Sequence, residues 1–199
     1  LFDEEESNTT NTLIAGMKVK PVKHWVVFWD VEHGQADNVF TRLENYQFTN
    51  FRVRSRMTFN KLAINLSALT KDNDNPSRPA QGIGLPANLD FVTAVNNRFY
   101  TGSVDWEPLS NLSFSSGYTY RHLTSHTPIA LPISGAPGPP NGYAFGVSEF
   151  FIRNHYVFFD LMAKPVRRVS LYASYRIDRD KGQGSRVTLP TTIANPNII

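Results

Sequence analysis

Cysteine is absent from the 199 residues, which excludes disulfides, zinc–thiolate sites and covalent haem attachment built from this chain. No run of about eighteen apolar residues occurs, so no segment reads as a transmembrane helix. Strands remain a route across a bilayer, because a transmembrane β-barrel shows lipid only at every second residue and stays polar on average. A hydrophobic fraction of 41% is compatible with that. Charge of one sign is not concentrated: 20 Lys and Arg oppose 17 Asp and Glu, for a net charge of +3. A nucleic-acid footprint is a basic stripe, so nucleic acid is not an expected partner. No Gly-Xaa-Ser-Xaa-Gly, phosphate-binding loop or dinucleotide fingerprint is found. No catalytic residue is therefore assigned, no cofactor is expected, and an enzyme is the least favoured class. The chain opens at Leu1 without a Met, a basic n-region or an apolar h-region, so targeting cannot be read directly.

What the sequence does contain is period-two alternation. Val169, Leu171, Ala173, Tyr175 and Ile177 fall on one side of a strand, and Ser170, Tyr172, Ser174, Arg176 and Asp178 on the other. Val157, Phe159, Leu161 and Ala163 alternate in the same way just upstream, joined to the first run through Lys164-Pro165-Val166-Arg167. The same hairpin recurs in changed residues around Pro21-Val22-Lys23, Asn60-Lys61 and Glu107-Pro108-Leu109-Ser110-Asn111. The expected organisation is a polar lead-in over 1–11, strands in four hairpins over 12–178, and a loop or cut end over 179–199. Eight strands of roughly ten residues are about long enough to cross a bilayer when tilted. Short links alternate with long polar connections at His33 to Tyr46, Thr70 to Thr93 and Leu123 to Val147. Outer-membrane barrels segregate loop length by end in this way. The fold class expected is all-β, an antiparallel up-and-down transmembrane β-barrel, complete or part of a larger one.

Aromatic residues agree with two interfacial girdles. Trp25 and Trp106 sit beside short links, while Tyr100, Tyr118, Tyr120 and Tyr175 lie nearer the long connections. The plain alternative is that strands favour aromatics anywhere. The expected lipid face comprises Val27, Trp29, Phe51, Val53, Leu62, Ile64, Leu66, Val104, Leu112, Phe114, Phe159, Leu161, Leu171 and Ala173.

The opposite face carries the candidate pore lining: Lys18, Asp30, Glu32, Arg52, Arg54, Arg56, Asp105, Arg121, Asp160 and Arg176. Arg52, Arg54 and Arg56 form a ladder that would favour anions in a pore. A solvated or salt-bridged strand face has the same composition. Other candidates are weaker. His122 and His126 have helical spacing, but Pro128 and the strand before them indicate a loop, so no metal site is assigned. Asp72-Asn73-Asp74-Asn75-Pro76 lacks the glycine and closing glutamate of a calcium loop and reads as a solvated turn.

With the links Lys20-Pro21-Val22-Lys23, Glu107-Pro108-Leu109-Ser110 and Lys164-Pro165-Val166-Arg167 and their flanking dyad strands, the chain resembles bacterial outer-membrane β-barrels. It is loosely similar to the decahaem-associated porins that sheathe a multihaem cytochrome. The resemblance implies an outer-membrane location in a Gram-negative cell, the lipid bilayer as partner, and a pore for small solutes or a sheath for a periplasmic or in-barrel protein. It departs from the pattern in lacking a terminal aromatic and the cysteine pair of some cytochrome-sheathing porins, so a portion of a longer barrel is expected. The competing class is a soluble or surface-exposed antiparallel sheet, adhesin-like or lectin-like, that binds through its long loops.

Overall fold

The computed structural model describes residues 8–37, 45–77, 91–133 and 142–184. They form one antiparallel sheet of eight strands in sequential order. The strands are β1 (Thr10–Val22), β2 (Trp25–Ala36), β3 (Gln47–Phe59), β4 (Leu62–Ser77), β5 (Phe91–Leu109), β6 (Leu112–Ile133), β7 (Gly142–Val166) and β8 (Val169–Gly184). No helix occurs among the described residues. Among the described residues each strand touches only its neighbours in sequence, and no second layer faces the sheet.

The sheet is not closed. Among the described residues β1 pairs only with β2, and β8 only with β7, so the closed barrel expected from the sequence is not formed by these strands. Loop lengths and dyad alternation specify up-and-down order and two faces; neither encodes the curvature that brings the first and last strands together.

The strands are also longer than the expected ten or so residues. β5, β6 and β7 run for 19, 22 and 25 residues. Segments read as loops continue the ladder: Asp72, Asn73 and Asp74 pair with Asn96, Val95 and Ala94, and Pro128 pairs with Val147. Composition there is loop-like, but an antiparallel ladder satisfies backbone groups whatever the side chains are. Strand structure begins at Thr10 and ends at Gly184, outside the expected 12–178 limits. The acidic run Asp3 to Glu6 and the segment Pro137 to Pro140 lie outside the described residues.

Four two-residue turns join the hairpins at Lys23-His24, Asn60-Lys61, Ser110-Asn111 and Arg167-Arg168. The proline links are bulged strand ends. Register jumps between Val19 and Val22, Trp106 and Leu109, and Ala163 and Val166, and Pro21, Pro108 and Pro165 each fall in the gap. A residue without an N–H fits where the ladder skips a bond. The second hairpin has no proline and no jump; Asn60 turns it at a φ of 41°. Successive turns are also tied together: Thr58 N donates to His24 O at 2.8 Å, Glu107 N to Lys61 O at 2.8 Å, and Lys164 N to Asn111 O at 2.7 Å.

The sheet is sheared. Directly paired residues lead from Met17 through Trp29, Val53, Ala68, Tyr100, Tyr120 and His155 to Arg179. Met17 stands five positions from the turn end of β1 at Val22, and Arg179 ten from that of β8 at Val169 (22 − 17 and 179 − 169). The strands therefore incline to the line of turns, as they do in barrel walls.

Candidate functional site: the concave polar face

Register assigns every outward and inward position. The face bearing Val27, Trp29, Val53, Ile64, Val104 and Phe159 is continuous across all eight strands, and the other face bears the charges. The buried residues Asp30, Ala36, Phe48, Asn73, Asn75 and Thr93 all lie on the charged face. Side chains crowd on the inside of a bent sheet and splay apart on the outside, so the charged face is the concave one. Conversely, Leu13, Met17, Phe51, Leu66, Val104, Trp106, Leu161 and Leu171 are exposed on the convex face. The inward exceptions Ile14, Phe150, Met162 and Tyr172 lie on the edge strands or on β7 beside one.

All of the candidate lining residues share the concave face. Asp30 is 5% exposed and meets Arg52 across the β2–β3 ladder, with Nη1 to Oδ1 at 3.7 Å. Glu32 accepts from Asn50 Nδ2 at 2.9 Å. The Arg54 guanidinium lies 4.8 Å from the centre of the Phe28 ring, a cation–π geometry. Arg56 stands opposite Val26 and Asn65. Neither Arg54 nor Arg56 is ion-paired among the described residues. Lys18 stands opposite Phe28. Asp105 accepts from Ser115 Oγ at 2.6 Å and Asn65 Nδ2 at 3.0 Å. Asp160 accepts from Ser174 Oγ at 2.5 Å and Tyr172 OH at 3.0 Å. Arg121 donates from Nε to Asn97 at 3.4 Å and lies over Phe99, and Arg176 stands opposite Phe158.

Of these groups, Arg54, Arg56 and Arg121 line two hollows. One of about 430 Å³ lies over β2 to β5 against Phe28, Arg54, Arg56, Asn65, Ser67 and Thr101. The other, about 480 Å³, lies over β5 to β8 against Phe99, Thr119, Arg121, Asn154, Asp178 and Asp180. Asn154 Nδ2 bridges the last two carboxylates, donating to Asp178 at 2.5 Å and Asp180 at 2.7 Å. The first hollow is cationic and the second is mixed in sign.

Sequence reasoning passed over the inward amides. The composition around Asn73 and Asn75 reads as a turn, yet continuing the β4 alternation past Ser67, Leu69 and Lys71 puts both on the concave face. Asn73 there accepts from Tyr46 N at 3.0 Å. Phe48 and Phe158 were also unassigned. Each covers a glycine, Gly34 and Gly117, where an added Cβ would strike the ring.

The aromatic residues expected to form girdles, Trp25, Trp106, Tyr100, Tyr118, Tyr120 and Tyr175, all point from the convex face. Trp25 Nε1 donates to Ser55 Oγ at 2.8 Å at the turn end. Farther from the turns, Tyr100 and Tyr120 stack at 6.3 Å, and Tyr118 OH lies 2.8 Å from His155 Nδ1. His122 and His126 are strand residues of β6 rather than loop residues, and they face outward. Four positions along a strand separate them by about 13 Å, too far to share a metal. His126 instead stands 3.4 Å from Glu149.

Comparison of the chain with protein-family models, with curated proteins and with solved structures returned no match.

Proposed function

We propose that this sheet is the wall of a bacterial outer-membrane β-barrel whose concave face lines a pore for small solutes, with anions favoured beside Arg54 and Arg56. One observation carries the reading: burial is inverted, with polar side chains crowded inside the curve and large apolar side chains splayed outside it, and no second layer covers the apolar face among the described residues. Water inside and lipid outside is the arrangement that makes both faces favourable. Two inward atoms, Asn50 Oδ1 and Thr93 Oγ1, have no partner among the described residues, and a wet lumen would supply one. Lipid also forbids unpaired strand edges, so β1 and β8 must pair with each other or with further strands.

The test is expression of the gene with fractionation of the envelope, followed by electrophoresis of unheated and heated samples. Recovery in the outer membrane with heat-modifiable mobility is expected; recovery as a water-soluble species would refute the membrane reading and favour a binding module. Planar-bilayer conductance then separates a pore from a sheath. Anion selectivity should fall in the Arg54→Gln, Arg56→Gln variant, and a wild-type chain that inserts without conducting would be a sheath for a partner protein.

A further inference from the structure

Beyond the apolar band on the convex face, one side of the sheet carries cations. The paired row Thr70, Arg98, His122, Arg153, Lys181 runs over β4 to β8, and the row nearer the turns reads Ala68, Tyr100, Tyr120, His155, Arg179. Arg98, Arg153, Arg179 and Lys181 are exposed and have no ion pair among the described residues. Of the outward carboxylates nearby, Asp72 and Asp74 lie two and four pairs farther along the ladder, and Glu149 faces His126. Strands about 4.8 Å apart put Arg98 and Lys181 roughly 14 Å from each other. On β3 and β4 the outward residues at a similar distance from the turns are Thr49 and Asp72, so the basic patch is one-sided.

Toward the turns the same strands continue outward as Tyr118, Val157 and Ile177, then Val104, Phe159 and Tyr175. A ligand for both regions needs an anionic head joined to long apolar chains. Arginine and lysine bind phosphate strongly, through forked hydrogen bonds and as a point charge respectively. We propose that Arg98, Arg153, Arg179 and Lys181 form a seat for a phosphate-bearing lipid, its phosphate on the cations and its acyl chains along the Tyr118 and Phe159 rows. This rests on the membrane reading.

The experiment places the full chain in nanodiscs of phosphatidylcholine alone and of phosphatidylcholine with a minority of phosphatidic acid. Insertion is read by protease protection, and retained lipid by native mass spectrometry. Enrichment of phosphatidic acid is expected on the wild type, falling about fivefold per removed charge at low salt in Arg98→Gln, Arg153→Gln and Lys181→Gln combined. The combination Lys23→Gln, Arg167→Gln, Arg168→Gln removes as many charges at the turn end and should keep the enrichment. Insertion into both discs without enrichment, or equal loss in both combinations, would overturn the seat and leave the membrane reading standing. Stripping of the lipid by excess inorganic phosphate would instead mark a site for the free anion and also overturn it. Failure to insert into either disc would remove the membrane reading and the seat with it.

Discussion

At the scale of single residues, the concave face is organised by pairs that a substitution can test singly. Phe158 lies over Gly117, and Gly102 O is 3.0 Å from where a Cβ on Gly117 would stand. Gly117→Val should therefore displace the ring and cost about 1–3 kcal/mol, measured as a lower urea midpoint in lipid. Asp30 presents a different case, being buried against a half-exposed Arg52. Arg52→Gln should destabilise more than Asp30→Asn in the same titration, because removing the cation leaves a carboxylate with little access to water.

At the scale of elements, alternation was the legible signal. Parity along Val169 to Ile177 and Arg52 to Arg56 already placed outward and inward residues as the ladder does. Strand length was not legible. Asp72 to Pro76 and the residues around Pro128 look like loops because their side chains do, while their backbone is held by partners distant in sequence. The proline links misled for a related reason: a proline marks a break in regular pairing, and a bulge within a strand is such a break. The faces themselves are testable on β4. Ile64→Arg puts a charge in the middle of the outward band and should cost about 2–4 kcal/mol and impair assembly, whereas Ser67→Arg, facing inward, should assemble normally. Equal recovery of the two in the heat-modifiable form would contradict the assignment.

At the scale of the whole molecule, the described residues have almost no core of their own. Among the described residues the buried hydrophobic side chains are Ala36 and Phe48 alone, whereas Leu13 is 75% exposed and Leu171 57% exposed on the two edge strands. Exposed apolar faces and unpaired strand edges are surfaces at which proteins associate or aggregate. Dilution from detergent into buffer should cause aggregation, seen by sedimentation, and a stable monomer there would argue for a covered sheet. The open edges of the sheet, where closure was expected, were the part of the fold least legible in the sequence. Closure depends on the summed bend of all the strands, and no single segment records a sum.

Sequential pairing also bears on how such a wall could change over time. Among the described residues each hairpin is held by its own turn and by the strands beside it, one on either side of the two inner hairpins and one in all for the two terminal ones, and no contact reaches past the adjacent strand. A duplicated hairpin could therefore enter at a turn-to-turn boundary, offering the same two edges that it separates. Ancestral duplication would then widen the sheet two strands at a time, leaving the older hairpins their registers.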